Sequence, residues 1–97
     1  MSTLPYKTHM IGYDLDQPGQ NYTSLHEAIK SLSGGRWWHN LDSTWFIQST
    51  QAAGAIRDKL KQHIDQDDKL LVMEVTGMDW ASAGLKPSGN DWLKNHV

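Results

Sequence analysis

The chain contains no cysteine, which excludes disulfides, a thiolate nucleophile and cysteine-rich zinc sites. It has no apolar stretch near the roughly 20 residues that cross a bilayer as a helix. The opening MSTLPYKTHM lacks the apolar centre of a signal peptide. A cytoplasmic location, with no membrane partner, is the expectation. Charge of one sign is also scarce: 9 Lys and Arg against 11 Asp and Glu leave a net −2 with the five His neutral. That balance excludes a strongly basic clamp, so nucleic-acid contact must rest on a local patch. Gly34-Gly35 lacks the lysine and spacing of a phosphate loop. The histidines show no zinc-binding spacing, His26 and His63 included, and no nucleophilic triad is visible.

What the chain has is tryptophan: Trp37, Trp38, Trp45, Trp80 and Trp92 in 97 residues. Each brings a large ring to bury and an N–H to satisfy. The length predicts one domain. A core this small gains from burial in a dimer. The 38% hydrophobic and 21% charged content suits a globular chain.

Periodicity divides the chain as follows. Residues 1–7 read as a leader. Thr8 to Leu15 alternates as a strand, with Ile11, Tyr13 and Leu15 on one face and Met10, Gly12 and Asp14 on the other. Pro18-Gly19 marks a loop. Tyr22 to Leu32 is a helix with Tyr22, Leu25, Ile29 and Leu32 as its stripe. Ser24 with Glu27 forms a capping box or Asn21 caps one turn earlier, and Gly34-Gly35 stops the helix. RWWHN and STWFIQS form a hairpin about Leu41-Asp42. Its register sets Trp38 opposite Trp45 and Trp37 opposite Phe46, with Trp37 and Phe46 on one face. Thr50 caps a second helix that ends near Ile64, with Ala53, Ile56, Leu60 and Ile64 as its stripe. KLLVMEVT, Lys69 to Thr76, reads as a central strand buried on both faces. Residues 78–97 form an extension: a loop, room for one short strand, and a helical turn after Ser88. The order of elements predicts an α+β, ferredoxin-like βαββαβ domain over residues 8–77. Its antiparallel sheet carries two helices on one face, and the C-terminal tail packs on the sheet or on a partner. The apolar residues of the other face call for a second layer, supplied by the tail and by a second copy.

The residues Tyr13-Asp14-Leu15 ending the first strand, the hairpin strand STWFI, and DQDDKLLVMEVTG leading into the last core strand resemble the Cas-two/VapD-like group. That group contains a small CRISPR-associated adaptation protein and toxin ribonucleases. The resemblance spans about residues 8–77. It implies a homodimer whose sheets pack face to face, an Asp near the dimer axis, and a place in bacterial defence. In some members that Asp holds a divalent metal, magnesium or manganese, for cleaving RNA or DNA; other members only hold nucleic acid. By match to the motif the position is Asp14. Mild acidity, the Pro18-Gly19 loop and the tryptophan-rich hairpin mark a divergent branch. Related sequences are sometimes called SinR-like, but no helix-turn-helix pattern is present.

Asp14 and Asp16 point the same way if the strand persists. Carboxylates suit magnesium or manganese, and such a metal beside a phosphate generates hydroxide and offsets charge. The competing reading gives Asp16 to a turn with Gln17-Pro18-Gly19 and has Asp14 accept backbone hydrogen bonds. His39 is a candidate base or phosphate ligand, or a partly exposed strand residue. Arg36, Arg57 and Lys61, with Lys30 and Lys59, are candidates for phosphate contacts, or belong to solvated surfaces. Trp37 suits base stacking or, with Phe46, Trp80 and Trp92, a dimer or tail interface. Three functions remain open: a non-catalytic homodimer that binds nucleic acid or a protein, which ranks first; a metal-dependent endoribonuclease using Asp14; and a small-molecule sensor.

Overall fold

Alternation along the first strand decides the layers. The computed structural model describes residues 6–16 and 22–97. In β1 (Lys7–Asp14), His9, Ile11 and Tyr13 face one way, and Thr8, Met10, Gly12 and Asp14 the other. β1 pairs antiparallel with β3 (Thr44–Ser49) on one side and with β4 (Lys69–Glu74) on the other. β2 (Trp37–Leu41) adds beyond β3, giving the order β2-β3-β1-β4. Two helices, α1 (Thr23–Ser33) and α2 (Ala53–Lys61), cover the Ile11 face. This is the ferredoxin-like α+β arrangement. The core between the layers is Ile11, Tyr22, Leu25, Ile29, Trp45, Ile47, Ile56 and Leu60, with Leu70 and Val72 packed against it.

The helices form because their apolar residues recur at three and four. Leu25 and Ile29 of α1, and Ile56 and Leu60 of α2, are fully buried. α1 stops at Gly34, whose φ of 59° places it in the left-handed region that closes a helix. The N-termini differ from expectation. The caps are Tyr22 and Ala52, neither with a side-chain cap bond, so neither the Ser24–Glu27 box nor Thr50 does that work. Asn21 and the Pro18-Gly19 loop lie outside the described residues, as do residues 1–5 of the leader; Lys7 already belongs to β1. α2 is also shorter than predicted, ending at Lys61 rather than Ile64.

Two strand readings are corrected. The hairpin turns at Asp42-Ser43, and Leu41 pairs with Thr44. An irregularity between Trp38 and Leu41 then puts an extra residue into β2, so Trp37 lies opposite Ile47 and Trp38 opposite Phe46. A one-residue slip reverses which face a side chain occupies. Trp38 and Phe46 therefore share the face away from α1 and α2, with rings edge to face at 5.0 Å. Trp37 joins Trp45 on the helix face, 5.3 Å away. The run at 69–76 is not a central strand: β4 is the sheet edge and ends at Glu74. Its apolar continuity has another cause. Leu70 and Val72 meet the core, while Leu71 and Met73 are 52% and 45% exposed on the far face.

The tail contributes a third helix, α3 (Pro87–His96), longer than the single turn expected; no strand is assigned among described residues 78–97. Pro87 begins it, where a missing N–H costs nothing. α3 lies against the far face of the sheet. Trp38 Nε1 donates to the Gly89 carbonyl at 2.9 Å, and the Thr8 hydroxyl donates to the His96 carbonyl. Between this tail and the sheet runs an apolar groove of about 360 Å³, lined in part by Met10, Trp38, Phe46, Val75, Trp80 and Leu93.

Candidate functional site

The end of β1 places neighbouring residues on opposite faces of the sheet. Asp14 is exposed on the far face, where its backbone pairs with Lys69. Among the described residues its carboxylate has no hydrogen bond or ion pair. Asp16 follows, exposed, and its backbone N–H donates to Asp68 Oδ1 at 2.7 Å. Asp68 also accepts the Asp65 N–H at 2.8 Å and the Tyr22 hydroxyl at 3.3 Å, tying the exit of β1 to the start of α1 and the turn before β4. The Asp16 and Asp65 N–H bonds hold the Asp68 carboxyl below its ordinary range, with Tyr22 helping. Its contribution to stability is present above the ordinary value of 3.8 and is lost as pH falls through the lowered one. A carbon-detected NMR titration should give Asp68 a midpoint below the ordinary 3.8, and Asp16→Pro, which removes one donor, should raise it. Among the described residues no group of three or more His, Asp or Glu converges as a metal site.

Tyr13 turns instead toward the helices. Its hydroxyl accepts Trp45 Nε1–H at 3.0 Å and has one proton to share between His26 Nε2, 3.2 Å away, and the Asp42 carbonyl, 3.3 Å away. The same carbonyl accepts from His39 Nε2 at 3.1 Å, which fixes that nitrogen as the protonated one. The His39 ring stacks on Trp45 at 3.9 Å and 12°. One helical turn beyond His26, Lys30 Nζ lies 5.0 Å above the Trp37 ring. His26 and Lys30 from α1 thus face Trp37 and His39 from β2 across a floor made by Trp45. Trp45 is buried, whereas 38% of Trp37 remains exposed. Burial, then the nearby His39 and Lys30, lower the His26 pKa from its ordinary value; Glu27 opposes them.

The predicted phosphate ligands do not form one patch. Arg36 lies over the Tyr6 ring at 4.5 Å and donates to its hydroxyl at 3.3 Å. Arg57 and Lys61 are exposed on α2, which packs over β4 rather than β2, and Arg57 is held by Asp58 at 2.8 Å. Of the predicted interface residues, Phe46 and Trp80 line the groove under the tail, and Trp92 lies within α3, 4.5 Å from His96. Trp37 belongs to the opposite face. The Tyr13–His26–His39 grouping escapes sequence reading because the bulge in β2 decides it. The one sequence signal is Tyr13 sharing the Ile11 face. Asp68 carried a signal only as part of the acidic turn DQDD. Comparison with protein-family models, curated proteins and solved structures finds no match.

Proposed function

We propose that the protein works as a homodimer of the Cas-two/VapD-like kind that binds nucleic acid, two copies meeting through the part of the far sheet face, beside β4, that α3 leaves bare. The supporting observation is the apolar side of β4. Leu71 and Met73 stand half exposed on an edge strand, and Met78 (57% exposed) and Trp80 follow it in the chain as further exposed apolar residues. An apolar edge of this kind is a liability unless something covers it. Light scattering coupled to gel filtration should give twice the 11.0 kDa chain mass. Leu71→Lys with Met73→Lys should give a folded monomer. A wild-type monomer at all accessible concentrations overturns the dimer.

A second reading, metal-dependent cleavage of RNA or DNA, draws on Asp14. Its carboxylate, without a partner among the described residues, lies on the same face, where a second copy would add another carboxylate to an oxygen site for magnesium or manganese. Cleavage that requires either metal and is abolished in Asp14→Asn supports it; unchanged cleavage by that variant excludes it.

A further inference from the structure

We infer that the strip between α1 and β2 is a binding site for single-stranded nucleic acid, in which a base takes the place of the half-exposed Lys30 ammonium over the Trp37 ring and Lys30 turns to meet an adjacent phosphate. This rests on the nucleic-acid reading above and adds to it the site and the class of strand. It lies on the helix side of the sheet, away from the bare face assigned to the second copy.

Three observations carry it. The Trp37 ring is backed by Trp45 at 5.3 Å, yet the residue as a whole is 38% exposed, so the ring is supported on one side and reachable from solvent. Aromatic platforms of this type hold bases irrespective of sequence, because every base has a π-face. The cation beside it is Lys30, above the ring, with the polar rings of His26 one turn away and His39 stacked on the floor, and with Glu27 as the nearby anion, 3.7 Å from Lys30. That Glu27–Lys30 pair is exposed and weak, so a phosphate can replace it. Finally, the parts are held in place. The Trp45–Tyr13–His26 and His39–Asp42 bonds fix the floor before any ligand arrives.

A duplex does not fit this arrangement. Its bases are stacked on one another, so it would offer the strip only phosphates. A chain of net charge −2 with few cations here has little to hold a duplex by backbone contacts alone. Unpaired bases supply the stacking that makes up for the missing charge. The shared chemistry of RNA and DNA single strands, an open base face followed by a phosphodiester, is what the strip recognises.

The test is fluorescence anisotropy with the full chain and three labelled probes: oligo-dT, oligo-rU and a DNA duplex of equal length. Wild type should bind the single strands in preference to the duplex. Trp37→Ala should weaken that binding about tenfold or more, and Trp37→Phe should retain most of it. Lys30→Gln should lower the slope of log K against log salt by about 0.7, the value for one phosphate contact on a single strand. Circular dichroism and gel filtration establish that each variant is folded and in the wild-type oligomeric state. Wild-type binding that Trp37→Ala leaves unchanged, or binding confined to the duplex, overturns the strip while the nucleic-acid reading stands. No binding by wild type to any probe overturns both. Equal response to oligo-dT and oligo-rU assigns recognition to the base face and phosphate; a preference for oligo-rU adds the 2′-hydroxyl to it.

Discussion

Alanine in place of Trp38 is expected to lower stability by about 3–5 kcal/mol and to release the C-terminal helix from the sheet. Trp38 is only 3% exposed. It meets Phe46 edge to face and gives its N–H to the Gly89 carbonyl inside α3, so one side chain joins hairpin and tail by packing and by a hydrogen bond. Leu93 lies in the same groove, and α3 has few other ties of this kind. Urea unfolding measures the loss. Hydrogen exchange shows where it falls: the amides of residues 87–96 should lose protection before those of β1. Trp38→Phe keeps a ring in place and removes only its bond to the Gly89 carbonyl, which lies inside α3 and keeps its helical N–H partner, so it should cost less, about 0.5–1.5 kcal/mol for the lost hydrogen bond together with the smaller ring. Unchanged protection of α3 in Trp38→Ala refutes this account of the tail.

Acid should weaken the fold through His9, the second large effect. His9 is 1% exposed in β1, between Ile47 of β3 and Glu74 of β4, and among the described residues neither ring nitrogen has a hydrogen-bond partner. Burial lowers its pKa from the ordinary 6.5, opposed more weakly by the Glu74 carboxylate and the Gln51 backbone. The sign follows from linkage. The unfolded chain takes up a proton near 6.5 while the folded chain keeps the ring neutral. The stability associated with neutral His9 is therefore whole above pH 6.5 and declines as pH falls below it toward the lowered value. His26, also lowered by burial, adds to the same decline. His9→Leu removes an unsatisfied buried polar group and should raise stability at neutral pH by about 1–3 kcal/mol. It should also flatten the acid limb of a plot of stability against pH between 5 and 7. A limb as steep as wild type in His9→Leu excludes His9 as its source.

Much of the architecture was legible because it depends on local periodicity. The 3–4 spacing in Leu25–Ile29 and Ile56–Leu60, the alternation of Ile11 and Tyr13, and Gly34 after the first helix are each short-range signals. Their order leads to the ferredoxin-like sheet found here. The continuous run Lys69 to Thr76 misled for a physical reason. An edge strand with one face on the core and an apolar, half-exposed far face has the same composition as a strand buried on both sides. The hairpin misled because one extra residue between Trp38 and Leu41 leaves no mark in composition, yet it reverses the faces of both tryptophans.

The candidate sites divide along the same line. Asp14 was visible as an acid at the close of an apolar strand, and alternation alone separates it from Tyr13. The meeting of Tyr13, His26, His39, Trp37 and Lys30 was not visible, because these residues come from three elements whose relative register is set by the bulge and by the packing of α1 on β3.

From the amino-acid sequence alone came the βαββαβ elements, their order and the α+β plan, since these follow from the period of side chains along a single segment; the full length of α3 did not. The tertiary structure decided which strands lie at the edges, which tryptophan faces the tail and which faces α1, and which histidines meet. Those outcomes depend on pairing between segments distant in the chain, where a slip of one residue exchanges the two faces of a strand.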